Sequence, residues 1–170
     1  ALHFPTSNTI IGSQTAGNPN TGNSNTLIGF RSGWSIASAN NNTFIGSQAG
    51  YKAVSNANVG FGFLSCGGAT ATTMTGESNT FVGTQSGANL TTGSYNTASG
   101  FAAMNGSTTG NFNAAYGANA LAVNTGASNV AIGSNSLKAN TSGFFNSSLG
   151  HSSLFYNTEG NYNIGIGEQS

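Results

Sequence analysis

The sequence predicts an all-β solenoid, a β-helix or β-roll of ten coils with a period of about 17 residues. Three observations carry this. Asn followed four residues later by Gly recurs at Asn8/Gly12, Asn25/Gly29, Asn42/Gly46, Asn58/Gly62 and Asn79/Gly83, and again at Asn96/Gly100, Asn113/Gly117, Asn129/Gly133, Asn146/Gly150 and Asn163/Gly167. The intervals between these Asn residues are 17, 17, 16, 21, 17, 17, 16, 17 and 17. Between Asn and Gly stand residues of strand character, as in Asn8-Thr9-Ile10-Ile11-Gly12. No 3.6-residue periodicity persists, and this density of Gly, Asn, Ser and Thr disfavours helix.

Residues 1–7 form a lead-in that includes Pro5, and residues 8–170 form the ten-coil repeat domain. Each coil opens with the short strand after the Asn. Alternation places the residues one and three after Asn on one face. The third position is Ile11, Ile28, Ile45, Phe61, Val82, Ser99, Tyr116, Ile132, Leu149 and Ile166, nearly all large and apolar, so this face is expected to meet the core together with Thr9, Thr26, Thr43, Thr80 and Thr97. The following Gly permits a positive φ or a close backbone approach at a corner. Three residues beyond it every coil carries a small residue, from Thr15 and Ser32 to Ser153 and Ser170. A second short strand is expected later in each coil, as over Ala118 to Val123, before groups such as Thr92-Gly93 and Thr109-Gly110 turn the chain back. The Asn columns have a physical use as ladders, hydrogen-bonding along the stack.

Two features break the regularity. The fourth coil is lengthened, which predicts an insertion loop at 66–75, either a tolerated surface loop or a binding loop. The halves also drift. Two residues after Asn the early coils carry Ile10, Leu27, Phe44 and Phe81 and the late ones Ala98, Ala115, Ala131, Ser148 and Gly165. Immediately before Asn the trend reverses, from Ser7, Ser24 and Asn41 to Tyr95, Phe112, Phe145 and Tyr162. Either the early half shows an apolar contact stripe at Ile10, Leu27, Phe44 and Phe81, or a broad core uses both faces.

Composition narrows the function. Charged residues are 4%, where a soluble domain carries roughly 25%. Net charge is zero, which gives no support to electrostatic binding of nucleic acid or an anionic membrane. No apolar run approaches the roughly 20 residues of a membrane span, so membrane insertion is not expected. Eleven Phe and five Tyr in register with the repeat argue for a folded chain. A single cysteine, Cys66, excludes an intramolecular disulfide framework. It has no visible His partner for nucleophilic catalysis, and with only His3 and His151 there is no zinc spacing. The carboxylates Glu77, Glu159 and Glu168 are not paired, and Gly62 and Gly67-Gly68 form no phosphate loop. The expectation is a non-enzymatic protein without metal or cofactor. Sequons at Asn41, Asn89, Asn105, Asn140 and Asn146 are no more than such a composition supplies by chance.

The unit N-T-x-I-G-x-x-A-G/L, closed by T-T-G, resembles the repeats of bacteriophage tail fibres and adhesin-like proteins. It is similar, more loosely, to the S-V-A-I-G repeats in the heads of trimeric autotransporter adhesins; Asn129-Val130-Ala131-Ile132-Gly133 is the nearest match. The resemblance implies trimerisation and binding of a host-surface receptor or glycan. The role expected is a self-assembling structural fibre, extracellular, at a cell surface or on a virion. Its main partner is itself, as a trimer or a head-to-tail filament of stacked coils. A receptor-binding shaft is the alternative, for which Trp34 and Tyr51 near Arg31 and Lys52 offer a hint, and an ice-binding solenoid the lesser one. The residues expected to carry self-assembly are Ala1, Leu2, Phe4, Ile10, Leu27, Phe44, Phe81, Ile166 and Gln169. Head-to-tail stacking is expected because Glu168-Gln169-Ser170 ends in phase with the repeat; a segment of a longer fibre would end the same way.

Overall fold

A computed structural model describes residues 7–17, 20–68 and 73–170. The strands are β1 (Thr9–Ile11), β2 (Thr26–Ile28), β3 (Thr43–Ile45), β4 (Val59–Phe61), β5 (Thr80–Val82), β6 (Thr97–Ser99), β7 (Ala114–Tyr116), β8 (Val130–Ile132), β9 (Ser147–Leu149) and β10 (Ile164–Ile166). They pair in chain order in one parallel ten-stranded sheet. Register is residue on residue, Thr9 on Thr26, Leu27 on Phe44, Ala131 on Ser148. This is an all-β solenoid, and the described residues contain no helix. Ten strands at about 4.8 Å spacing make a stack roughly 45 Å long. No second strand column forms among the described residues. Opposite the sheet, turns stack through backbone hydrogen bonds, with one isolated parallel bridge between Ala53 and Met74. That bridge restores the register after the lengthened coil, whose residues 69–72 lie outside the described set.

The phase of the strands is the reverse of that expected. The middle residue of each strand points inward: Leu27, Phe44, Phe81, Ala115 and Ala131 are fully buried. The flanking residues point outward, so Ile11, Phe61, Val82, Tyr116, Ile132, Leu149 and Ile166 are exposed while Ile28 and Ile45 are half-buried. The Thr column shares this outer face. The cause is the asparagine two residues before each middle position, which alternation places on the same inner side.

Each ladder Asn makes bonds that only an interior position allows. Asn25 N–H donates to Asn8 Oδ1 at 2.8 Å, and the same step repeats through Asn42, Asn58, Asn79, Asn96, Asn113, Asn129, Asn146 and Asn163. The Nδ2 groups donate to turn carbonyls, as Asn79 to Gly93 at 2.9 Å and Asn96 to Gly110 at 2.8 Å. Every carboxamide of this ladder thus meets the requirement that buried polar groups be bonded, whereas Nδ2 of Asn20, outside the ladder, is buried without a partner. A second ladder runs Asn124–Asn140–Asn157 in the late half, occupying the interior position that Ile36 and Leu90 fill earlier.

The Gly after each strand is required by the stack. Gly100 has φ +140°, and a Cβ there would stand 2.5 Å from the Gly117 carbonyl oxygen of the next coil. Adjacent corners approach too closely for any side chain.

Candidate functional site

The chemistry-bearing side chains are scattered. His3 lies outside the described residues and His151 is exposed. Cys66 is fully buried, its Sγ 3.9 Å from Met74 Sδ, and burial pushes its thiol far above its ordinary value. It is a packed core group, held protonated. Among the described residues no three His, Cys, Asp or Glu side chains converge as metal ligands, and no helix is long and apolar enough to cross a membrane. A concavity of about 560 Å³ lies at the last coil, lined by Leu154, Phe155, Tyr156, Asn157 and Gln169. Ser152, Tyr156 and Ser170 supply its hydroxyls, and no His, Cys, Lys, Asp or Glu is among its lining residues.

The residues expected to carry self-assembly do not form one surface. Leu27, Phe44 and Phe81 are fully buried and Ile10 is half-buried, so the stripe they were expected to make is interior. Ile166 and Gln169 are exposed, and Ala1, Leu2 and Phe4 lie outside the described residues. Arg31 is held by its neighbours: its guanidinium carbon is 5.0 Å from the Phe30 ring centre and 5.9 Å from that of Trp34, with Nε donating to Gln14. Lys52 sits similarly over Tyr51. Of the sequons, Asn140 and Asn146 are buried in the ladders and out of reach of modification in the folded state.

Two surface features replace the expected one. The outer strand face combines the Ile11-to-Ile166 column with the Thr9-to-Ile164 column and carries no charge. Beside it runs the residue before each ladder Asn, which adopts a left-handed backbone in all ten coils, from Ser7 at φ 87° to Tyr162 at φ 58°. In the late half this column is aromatic except at Ser128. Tyr95 and Phe112 stack with ring centres 5.0 Å apart and planes 3° apart, and Phe145 and Tyr162 do so at 5.3 Å and 19°. Phe112 is 61% exposed and Tyr162 71%.

Comparison with protein-family models, curated proteins and solved structures finds no match. The signal for the aromatic column was legible in the drift from Ser24 and Asn41 to Tyr95 and Phe112, but not its outward, stacked geometry.

Proposed function

We propose that this protein is a non-enzymatic structural fibre element acting outside the cell, on a virion or a cell surface, and assembled from copies of its own chain. The supporting observation is the outer strand face. Its column, with Ile132 41% and Leu149 50% exposed, is apolar in every strand but β6, where Ser99 stands, and neither outward column carries a charge. At roughly 45 Å by 10 Å it is on the order of 450 Å², within the range of the largest patches on monomers, which are themselves often functional. Two or three copies lying side by side would cover it, and a surface with so little charge does nothing to oppose that contact. Stacking of coils end to end is the second mode by which such a unit extends into a filament.

Sedimentation of the purified chain, with electron microscopy of the same sample, tests the reading. Discrete homo-oligomeric rods or filaments are expected, and a monomer that persists at high concentration overturns it. One observation favours the ice-binding alternative: Thr9, Thr26, Thr43, Thr80 and Thr97 face outward. Against it, Val59 interrupts the column and Ala114, Val130 and Ile164 replace it later. Thermal hysteresis would favour ice over assembly.

A further inference from the structure

The residue before each ladder Asn, over the coils of β6 to β10, is Tyr95, Phe112, Ser128, Phe145 and Tyr162 in turn. The series is the same read from either end. All five share one backbone conformation, with φ between 55° and 60°, so they occupy equivalent points of equivalent coils. The steps between them are about 4.8 Å. The palindrome is therefore an order in space as well as in sequence. In the earlier coils the same column is small or polar, with Ser24, Asn41, Ala57 and Ser78.

Such a column is complementary to itself under one operation, a two-fold axis through its centre and across the rod. Turned about Ser128, a second copy runs antiparallel to the first. Tyr95 then lies level with Tyr162 of the partner subunit, Phe112 with Phe145 of the partner subunit, and Ser128 meets its own copy. Phenyl rings meet phenyl rings and phenols meet phenols. A hydroxyl both donates and accepts, which is what a group facing its own copy requires. The same turn sets Ile132 against its own copy and Leu149 against Tyr116 of the partner subunit, and no charge enters from either outward strand column.

The area suits a pair. Tyr95, Phe112, Phe145 and Tyr162 are each more than half exposed, and Phe144 packs edge-on against Phe145 and Tyr162 beside them. These rings present roughly 550 Å² on each copy. Two copies together bury about 1,100 Å², which clears the threshold of about 1,000 Å² for a specific interface.

We propose that two copies of this chain pair antiparallel along the aromatic column, about a two-fold axis at Ser128. The inference rests on the self-assembly reading and supplies its geometry: the copies overlap over the coils of β6 to β10, and the coils of β1 to β5 project at opposite ends.

Sedimentation of the intact protein gives the stoichiometry, and oxidative cross-linking of cysteines placed along the column gives the register. Cys66 is buried and takes no part. Dimers or even-numbered assemblies are expected, with Ser128→Cys cross-linking to its own copy. Tyr95→Cys alone should not cross-link, because its copy lies four coil steps away, about 19 Å, beyond the roughly 7 Å between Cα atoms that a disulfide spans. Mixed with Tyr162→Cys it should yield the crossed pair. Phe112→Asn carries the residue that Asn41 places in the same left-handed backbone, so it should fold while weakening association about tenfold or more. Self-cross-linking of Tyr95→Cys would mean parallel copies and overturn the two-fold axis while self-assembly stands. Oligomers unchanged by Phe112→Asn, or joined by none of these cysteines, would overturn it in the same way. A parent protein that stays monomeric removes both the axis and the self-assembly reading.

Discussion

A Cβ added to Gly87 would stand 2.6 Å from the Phe81 ring carbons Cδ1 and Cε1: the glycine is there because the phenylalanine fills its space. The same complementarity joins Leu27 to Gly33 and Phe44 to Gly50, whose added Cβ would meet the facing side chain at 2.7 and 2.3 Å. From the sixth coil onward the sizes are exchanged, with Ala98, Ala115 and Ala131 at the strand centre and Met104, Leu121 and Leu137 six residues later, all buried. The drift between halves is thus a change in which side of the coil supplies core volume.

Exchange within one coil should therefore be tolerated where single changes are not. Phe81→Ala empties a fully buried site and is expected to cost about 3–5 kcal/mol. Gly87→Leu drives a side chain into the ring and should cost about as much or prevent folding. The double variant reproduces the Ala115/Leu121 arrangement of a later coil. Chemical denaturation should show it more stable than either single variant, with a coupling of about 2 kcal/mol or more. Additive losses would mean that the two columns do not share volume.

The ladder makes a prediction with a pH sign. Asn96 Nδ2 donates to Asn79 Oδ1 at 3.1 Å and to the Gly110 carbonyl at 2.8 Å, while its Oδ1 accepts from Asn113 N–H. Asn96→Asp keeps the acceptor but turns an oxygen toward two oxygens in a fully buried site. Burial and lost donation both raise the folded-state pKa above the usual value of about 3.9. The native state then holds its proton more tightly, so the variant is most stable below that pH and loses stability as pH rises. Its melting temperature should fall steeply between acid and neutral pH relative to the parent. A constant difference across that range would show that the carboxamide donor is not needed.

The repeat length, the strand after each ladder Asn and the corner glycines were legible in the sequence, whereas the second strand expected over residues such as Ala118 to Val123 is a run of turns. The phase of the strand was not legible. Period-two alternation says that Ile10 shares a face with Asn8, but not which face lies inside, and the apolar Ile11-to-Ile166 column pointed to the wrong one. What decides it is that ten carboxamides need ten sets of partners, which the stacked interior supplies. The clue available was the exchange of size between Phe81/Gly87 and Ala115/Leu121, since columns that compensate in volume must touch. The stacking of Tyr95 on Phe112 was beyond reach because nothing in Tyr or Phe announces a left-handed backbone.

Cys66 should behave as a core residue. Its thiol is fully buried, and burial holds it protonated. A thiol reagent at neutral pH should label the folded protein only through unfolding and the denatured chain at once. The unfolded thiol ionises near 8.5 and the folded one far higher, so above about pH 8.5 the native state alone retains the proton. Stability should then decline by about 1.4 kcal/mol per pH unit. Rapid stoichiometric labelling of the native protein would contradict the packing around Met74.

The outer face separates folding from assembly most directly. Ile132 and Leu149 are neighbours on adjacent strands, 41% and 50% exposed, and neither belongs to the interior cluster. Lysines at both positions point into solvent in a lone chain, so Ile132→Lys with Leu149→Lys should change unfolding stability by no more than about 1 kcal/mol. In an assembled rod the same lysines are buried without counter-charges, because neither outward column supplies a carboxylate. That cost is several kcal/mol per ion, enough to dissociate the assembly. The double variant should therefore sediment as a folded monomer under conditions where the parent does not. Leu137→Lys is the control: fully buried, it should prevent folding rather than assembly. If the surface variant assembles like the parent, the outer strand face is not the contact and end-to-end stacking must account for any fibre.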